Sequence, residues 1–295
     1  MIVITAPTST IGRLLVGDLL ARDAKLRLVT RDASRLAPDI RDRTEVVEGS
    51  HGDPVVVERA FEDADTVFWL APADAAAPSA EAAFVDFTRP AANAFARHGV
   101  RRVVGVSAIG RGTPQARHAG PVTASLAMDD LIADSGVAYR ALVCPSFMHN
   151  LLNHVGAVKA QGLFFMMADP DLKVPTVATR DIAAAASRLL LDGTWTGFDE
   201  VACLGPEDLS PNDMARIVSD VLGRPVGYRQ VTAEAFKERM TGFGFSAAMA
   251  QAMADMFDAK NAGMDNAAPR TAASATPTTF RQWCEEVLAP AVARA

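Results

Sequence analysis

Tyrosine is scarce in this chain: 295 residues contain two, Tyr139 and Tyr228. Neither is followed by lysine four residues on, so no Tyr and Lys stand one helical turn apart to exchange a proton with a carbonyl. Cysteine is also sparse. Cys144, Cys203 and Cys284 are far apart and lack metal-ligand spacing, and they read as buried small hydrophobes in a reducing compartment. Asp169, Asp171 and Asp181 form no metal motif either, and Asp181 is expected to cap a helix. No metal is expected. Basic charge is in deficit: 29 Lys and Arg stand against 35 Asp and Glu, a net charge of -6. With a pI near 5.4 no basic face is available, and the pair Arg101-Arg102 is too short to make one, so nucleic acid is excluded as a partner. No apolar run approaches the ~20 residues of a membrane helix. No charged leader with an apolar segment and cleavage site is present, which predicts a cytoplasmic, membrane-free protein.

What the chain does have is apolar material, 49% of its residues, enough for one large α/β domain or a domain with a small lobe. Its first half alternates apolar strands with amphipathic helices, the pattern of a doubly wound parallel sheet. The strands are expected at Ile2–Thr5, Leu26–Thr30, Glu45–Glu48, Thr66–Leu70, Val103–Ser107 and Tyr139–Val143. Helices fall over Ile11–Ala21, Pro54–Phe61, Ala80–His98 and Val122–Ser135, with a loop over Gly110–Pro121. After Pro145 periodicity is lost up to Val174. Helices follow at Asp181–Leu191 and Pro211–Leu222, with a strand near Glu200–Leu204 between them, a helical Val231–Ala262 and a last helix from Thr278. The reading is a cofactor half, 1–145, and a smaller α/β substrate lobe, 146–295, interleaved rather than independent.

The N-terminal strand, loop and helix start carry the most chemistry. A dinucleotide fold places its pyrophosphate on such a loop, where small residues let backbone N–H groups approach the phosphates at a helix N-terminus. Thr5-Ala6-Pro7-Thr8-Ser9-Thr10-Ile11-Gly12-Arg13 resembles the T-G-A-T-G-x-I-G-R pattern of NmrA-like, atypical short-chain dehydrogenases. Ala6 stands for the first glycine, Ser9 for the second, and Gly12 keeps the third. The resemblance continues through Asp63–Pro72, Val100–Ala108, Ser135–Arg140, Pro145 with Phe147–Asn150, Asp181–Ala184, Leu222–Val226 and Pro277–Phe280. It implies a Rossmann domain with a small lobe, NAD(P) binding, and a site between the two.

The cofactor contacts expected on this basis come from Thr5, Ala6, Thr8, Ser9, Thr10, Ile11, Gly12, Arg31, Ser50, Leu70, Ala71, Pro72 and Ser107. Arg31 ends the second strand, where a guanidinium suits a 2′-phosphate, and favours NADP; Asp32 beside it keeps NAD open. Ser50 stands where the family often has an Asp for the adenine. The resemblance places Pro121 and Ser125 at the family's Tyr and Lys positions, with Asp129 a turn further. Candidates for the remaining chemistry are Ser107 at the end of the fifth strand, His118, Ser125 and His149. Phe147, Met148, Asn150 and Phe164 are expected to line a substrate pocket, with Phe165, Met166 and Met167 available to it. Met249, Met253, Met256 and Phe257, at helical spacing, read as a lid helix or a homodimer face. The leading reading is an NAD(P)H-dependent reductase of a small aromatic or quinone-like molecule that works without a Tyr-x-x-x-Lys pair. A non-catalytic NAD(P) sensor and a non-redox enzyme on the same scaffold are the alternatives.

Overall fold

The computed structural model describes every residue of the chain except Ala73. Its first part runs β1 (Ile2–Thr5), α1 (Thr10–Leu20), β2 (Leu26–Thr30), α2 (Pro38–Asp42), β3 (Glu45–Glu48), α3 (Pro54–Phe61), β4 (Thr66–Trp69), α4 (Phe87–Phe95), β5 (Arg102–Ala108), α5 (Pro121–Asp134) and β6 (Ala138–Cys144). Beyond it come β7 (Ser146–Phe147), α6 (Val155–Gln161), β8 (Leu163–Met166), β9 (Val174–Val177), α7 (Thr179–Leu191), β10 (Phe198–Ala202), β11 (Asp208–Leu209), α8 (Pro211–Leu222), β12 (Gly227–Gln230), α9 (Ala233–Gly242), α10 (Ala247–Asn261) and α11 (Phe280–Trp283).

Seven strands form one sheet in the order β10-β6-β5-β4-β1-β2-β3, and every pair in it is parallel. Strand order reverses between β1 and β4, so the crevice beyond their carboxyl ends is the ligand-binding position of an open α/β sheet. The inner strands β1, β4, β5 and β6 are largely buried on both faces, which is why they read as apolar runs rather than alternations. On one face α1 and α7 pack through Leu15, Leu19, Ile182 and Ala186. On the other, α3, α4 and α5 pack through Val57, Phe61, Phe95 and Ile132. Each large aliphatic or aromatic side chain so buried is worth about 1.5–3 kcal/mol.

The sheet recruits its last strand from beyond Pro145. Val201 on β10 pairs with Leu142 on β6, and α7 lies beside α1, so the 146–295 segment contributes to both layers. What remains of it is a smaller assembly: a three-stranded sheet β11-β9-β7, a two-stranded sheet β12-β8, and α8 and α11 around a core that includes Phe164, Phe280 and Trp283. Two helices differ from the expected spans. The Ala80–His98 stretch passes through a π turn at Ala82–Asp86 before α4, which contains Pro90. Proline supplies no N–H to the preceding turn, and the helix accommodates this just upstream with its wider turn. The single Val231–Ala262 helix is two: Gly244, at φ +88°, and the Ser246 N-cap break it between α9 and α10. Asp181 is not a cap. It lies in the first turn of α7, where its carboxylate accepts from Thr278 N–H at 3.0 Å and Thr278 Oγ1 at 2.8 Å, pinning the C-terminal segment.

Candidate functional site: a dinucleotide loop and an apolar cavity

The loop from β1 to α1 turns sharply at Ala6, whose φ of +49° is a left-handed value that costs an alanine about 1–2 kcal/mol. Its carbonyl accepts from Ser9 N–H at 3.0 Å. The same carbonyl explains Gly12, because a Cβ built there would lie 2.2 Å from Ala6 O. Ser9 caps α1: its Oγ accepts from Gly12 N–H at 3.0 Å, which leaves its own hydroxyl proton to donate. Thr8 and Thr10 are half-buried on the same turn. Two expected contacts turn inward. Thr5 Oγ1 donates to Phe68 O and accepts from Leu70 N–H, both at 2.9 Å, so its hydroxyl ties β1 to β4. Ile11 is buried in the core under α1.

Arg31 is exposed just past β2. The neighbouring Asp32 caps a short 3-10 turn, its carboxylate accepting from Ser34 N–H at 2.9 Å and Ser34 Oγ at 2.6 Å. Ser50 follows β3 and Leu70, Ala71 and Pro72 follow β4, all on the carboxyl side of the sheet. His51, which the motifs did not flag, is buried there with Nε2 3.0 Å from Leu70 O, and burial lowers its pKa to about 4.

At the end of β5 the structure assembles a buried polar cluster. Ser107 Oγ donates to Asp129 Oδ2 and lies 3.4 Å from Ser125 Oγ, while Tyr139 OH donates to Asp129 Oδ1 at 2.5 Å. Arg111 Nη2 approaches the same carboxylate at 3.9 Å. Burial raises the Asp129 pKa to about 7, against the opposing pull of the Ser107 and Tyr139 hydrogen bonds and of Arg111. Burial also raises the Tyr139 phenol well above its usual value, helped by the Asp129 charge. Ser107 and Ser125 are thus brought together, with the Ser107 proton committed to Asp129. Tyr139 was missed by sequence reasoning. Its signal was Gly105 inside an otherwise apolar strand: a Cβ there would meet Tyr139 OH at 2.3 Å, so the missing side chain is the space the phenol crosses.

Neither histidine candidate joins that cluster. His118 is exposed at the end of the Pro114–His118 3-10 turn. His149 packs edge-on against Trp283, its Nδ1 accepting from Trp283 Nε1 at 3.2 Å and lying 3.0 Å from Thr179 Oγ1, and burial lowers its pKa. An imidazole nitrogen that accepts from indole is unprotonated, so His149 serves as an anchor between α7 and α11.

Past β6 the chain opens a cavity of about 610 Å³. Phe147, Met148 and Asn150 line it from the sheet side, and α9 and α10 supply Met240, Met253 and Phe257 opposite. Phe164 does not line it. On β8 successive side chains alternate, so Phe164 is fully buried in the lobe core and Phe165 forms the wall instead. Met166 reaches the wall and Met167 is buried outside it. The methionine stripe of α10 is used within the chain: Met253 and Met256 face the cavity, and Met249 packs on Ala77 and Ala83. His154 also lines the cavity, with a buried Nδ1 lacking a partner among the described residues; burial and the nearby Arg239 lower its pKa to about 4.

A parallel sheet with its switch point at β1 and β4, a capped helix N-terminus above it and a Gly-dependent loop define a dinucleotide-binding Rossmann protein. The chain belongs to the NAD(P)H-binding family, whose model matches residues 8–192. It is 29% identical over 260 residues to the NAD(P)H azoreductase of Xenophilus azovorans, spanning 87% of this chain and 86% of that one. It is 31% identical over 238 residues to the (4-alkanoyl-5-oxo-2,5-dihydrofuran-3-yl)methyl phosphate reductase of Streptomyces griseus, spanning 80% and 78%. The fold is shared with the NADPH-dependent quinone oxidoreductase of Escherichia coli solved with NADPH: the TM-score is 0.75 at 19% identity, covering 100% of this chain and 99% of that one.

Proposed function

We propose that this protein is an NADPH-dependent reductase of planar aromatic or quinone-like molecules. The observation that carries the reading is the cavity. It is rich in Phe and Met and begins at Ser146, just beyond the carboxyl end of β6, the end of the sheet at which an open α/β fold binds its ligands. A flat apolar molecule fits such walls, and methionine adapts to its outline. The names of two curated relatives, an azoreductase and a dihydrofuranyl methyl phosphate reductase, support reduction as the reaction class.

When bound, the reduced nicotinamide supplies the hydride. The loop fits the group: glycine at position 12 lets the Ala6 carbonyl and Pro7 close tightly over the helix N-terminus, and Ser9 retains a hydroxyl proton for a phosphate oxygen. Thr8, Thr10 and Ala6 complete the cradle, with Leu70, Ala71, Pro72 and Ser50 along the nucleotide. Arg31 favours NADP, because Asp32, the residue that would otherwise hold ribose hydroxyls, is engaged by Ser34. Ser107 and Ser125 position the end of β5 rather than supply a strong acid, so the work of the protein is to hold hydride donor and acceptor in contact and exclude water. The proton then comes from solvent.

Fluorescence titration with NADPH and NADH, followed by NADPH oxidation with quinones and azo compounds, tests this. Turnover of at least one planar acceptor is expected. Failure to bind either nucleotide overturns it. Tight NADPH binding without turnover of any acceptor replaces it with a nucleotide-sensing role, the alternative that Pro121 and Ser125 at the proton-transfer positions favour.

A further inference from the structure

Arg239 projects from α9 to line the apolar cavity. Its guanidinium lies 5.4 Å from the centroid of the Phe165 ring and 5.5 Å from that of Phe243. Contacts of this kind hold the cation by its faces and leave the N–H donors along its edge unused. Among the described residues, none of those donors meets a protein acceptor and no carboxylate lies within ion-pair distance.

The other charged groups of the wall make contacts of their own. Lys260 Nζ donates to Asp265 Oδ2 at 2.5 Å, and that carboxylate is buried. Asp169 Oδ1 accepts the N–H groups of Asp171 and Leu172 at 2.9 and 3.1 Å. His154, with its lowered pKa, is neutral near pH 7. The exposed Arg229 lies over the same Phe165 ring at 6.0 Å, adding positive potential. Arg239 is therefore a cation without an ion-pair partner among the described residues, in a wall that also holds the Asp169 carboxylate and the Lys260–Asp265 pair, and charge attraction there is stronger than at a wet surface.

We infer that Arg239 anchors an anionic substituent, a carboxylate, sulfonate or phosphate, carried by the planar substrate. The planar edge of a guanidinium offers two parallel N–H groups to two oxygens, which all three anions supply. The assignment rests on the reading of this cavity as the substrate site and makes Arg239 a specificity residue rather than a participant in hydride transfer.

The test uses two fluorescent probes that differ in the anion: 8-anilinonaphthalene-1-sulfonate and uncharged N-phenyl-1-naphthylamine. The full-length protein is expected to bind the sulfonate more tightly. In Arg239→Gln, affinity for the sulfonate falls about 10- to 100-fold while the neutral probe stays within about two-fold. Arg239→Lys keeps the charge without the fork and falls between. Thermal melting of both variants confirms that they are folded. Equal affinity for the two probes in the wild type, or parallel loss of both in either variant, overturns the assignment. Neither titration uses NADPH. A protein that reduces no aromatic acceptor yet shows the sulfonate preference refutes the reductase reading alone.

Discussion

Arg31 and Asp32 stand side by side past β2 with opposite implications for the nucleotide. The structure separates them by occupation: Asp32 is taken up by Ser34, and Arg31 is exposed to whatever docks at the strand end. Arg31→Ala is therefore expected to raise the Kd for NADPH about ten-fold or more and leave NADH within about two-fold, as loss of a charge-assisted contact to one phosphate implies. Isothermal titration with both nucleotides checks it, and equal loss for both removes the NADP assignment. At this scale residue type was easy to read and orientation was not. Phe164 and Phe165 are chemically the same, and strand alternation sends one to the core and the other to the cavity. His149 sits next to wall residues in sequence and points to Trp283 instead.

Elements were legible where a period ran long enough. β2, β3, α3 and α8 occupy the expected residues, each bounded by a cap or a turn such as Asp53 with Pro54, or Ser210 with Gly223. The Met148–Val174 stretch resisted because it is built of short pieces, a 3-10 turn, one two-turn helix and a four-residue strand, none long enough to show a period. Contacts between elements were legible only in part. Asp129 on α5 and Ser107 on β5 could be placed by analogy, but Tyr139 reaching across from β6 depends on strand adjacency. This junction is sensitive to pH. Asp129 has a folded pKa of about 7, above the usual 3.8, so the folded state holds its proton more tightly. Its contribution to stability is complete at the acid end of that interval and is lost as pH rises through about 7. Asp129→Asn removes one acceptor and does not titrate. Relative to the wild type it is expected to lose about 1–3 kcal/mol at pH 5 and distinctly less at pH 8. Denaturant unfolding at the two pH values checks this; a constant difference would show that Asp129 does not titrate in that interval.

For the whole molecule, the nucleotide loop, the β5–α5 cluster and the cavity draw on residues from Ala6 to Phe280, brought together by one parallel sheet. The return of the chain through α7 and β10 ties the smaller assembly to that sheet on the α1 face and beside β6. A ligand that binds the folded sheet should stabilise both parts together. At a free NADPH concentration of 100 times its Kd, the gain is ~2.7 kcal/mol. That corresponds to a rise in Tm of about 4 °C for a chain of this size, in a single transition. Calorimetry with and without NADPH measures it, and two transitions of which one moves would mean that the parts unfold separately.

The amino-acid sequence by itself determined the class: strand and helix periods, a small-residue loop at the first strand end and a missing Tyr-Lys pair are local patterns of side-chain size and spacing. It also determined that no Tyr-x-x-x-Lys pair is present to share a proton. Only the tertiary structure decided which side chains meet. The Asp129 cluster, the commitment of Asp32 to Ser34, the two-helix wall of the cavity and the placement of Arg239 in it all depend on how elements distant in sequence, or the backbone between near neighbours, orient the groups they carry. Charge and hydrogen-bond energies change over a few ångströms, and sequence spacing does not specify distances that short.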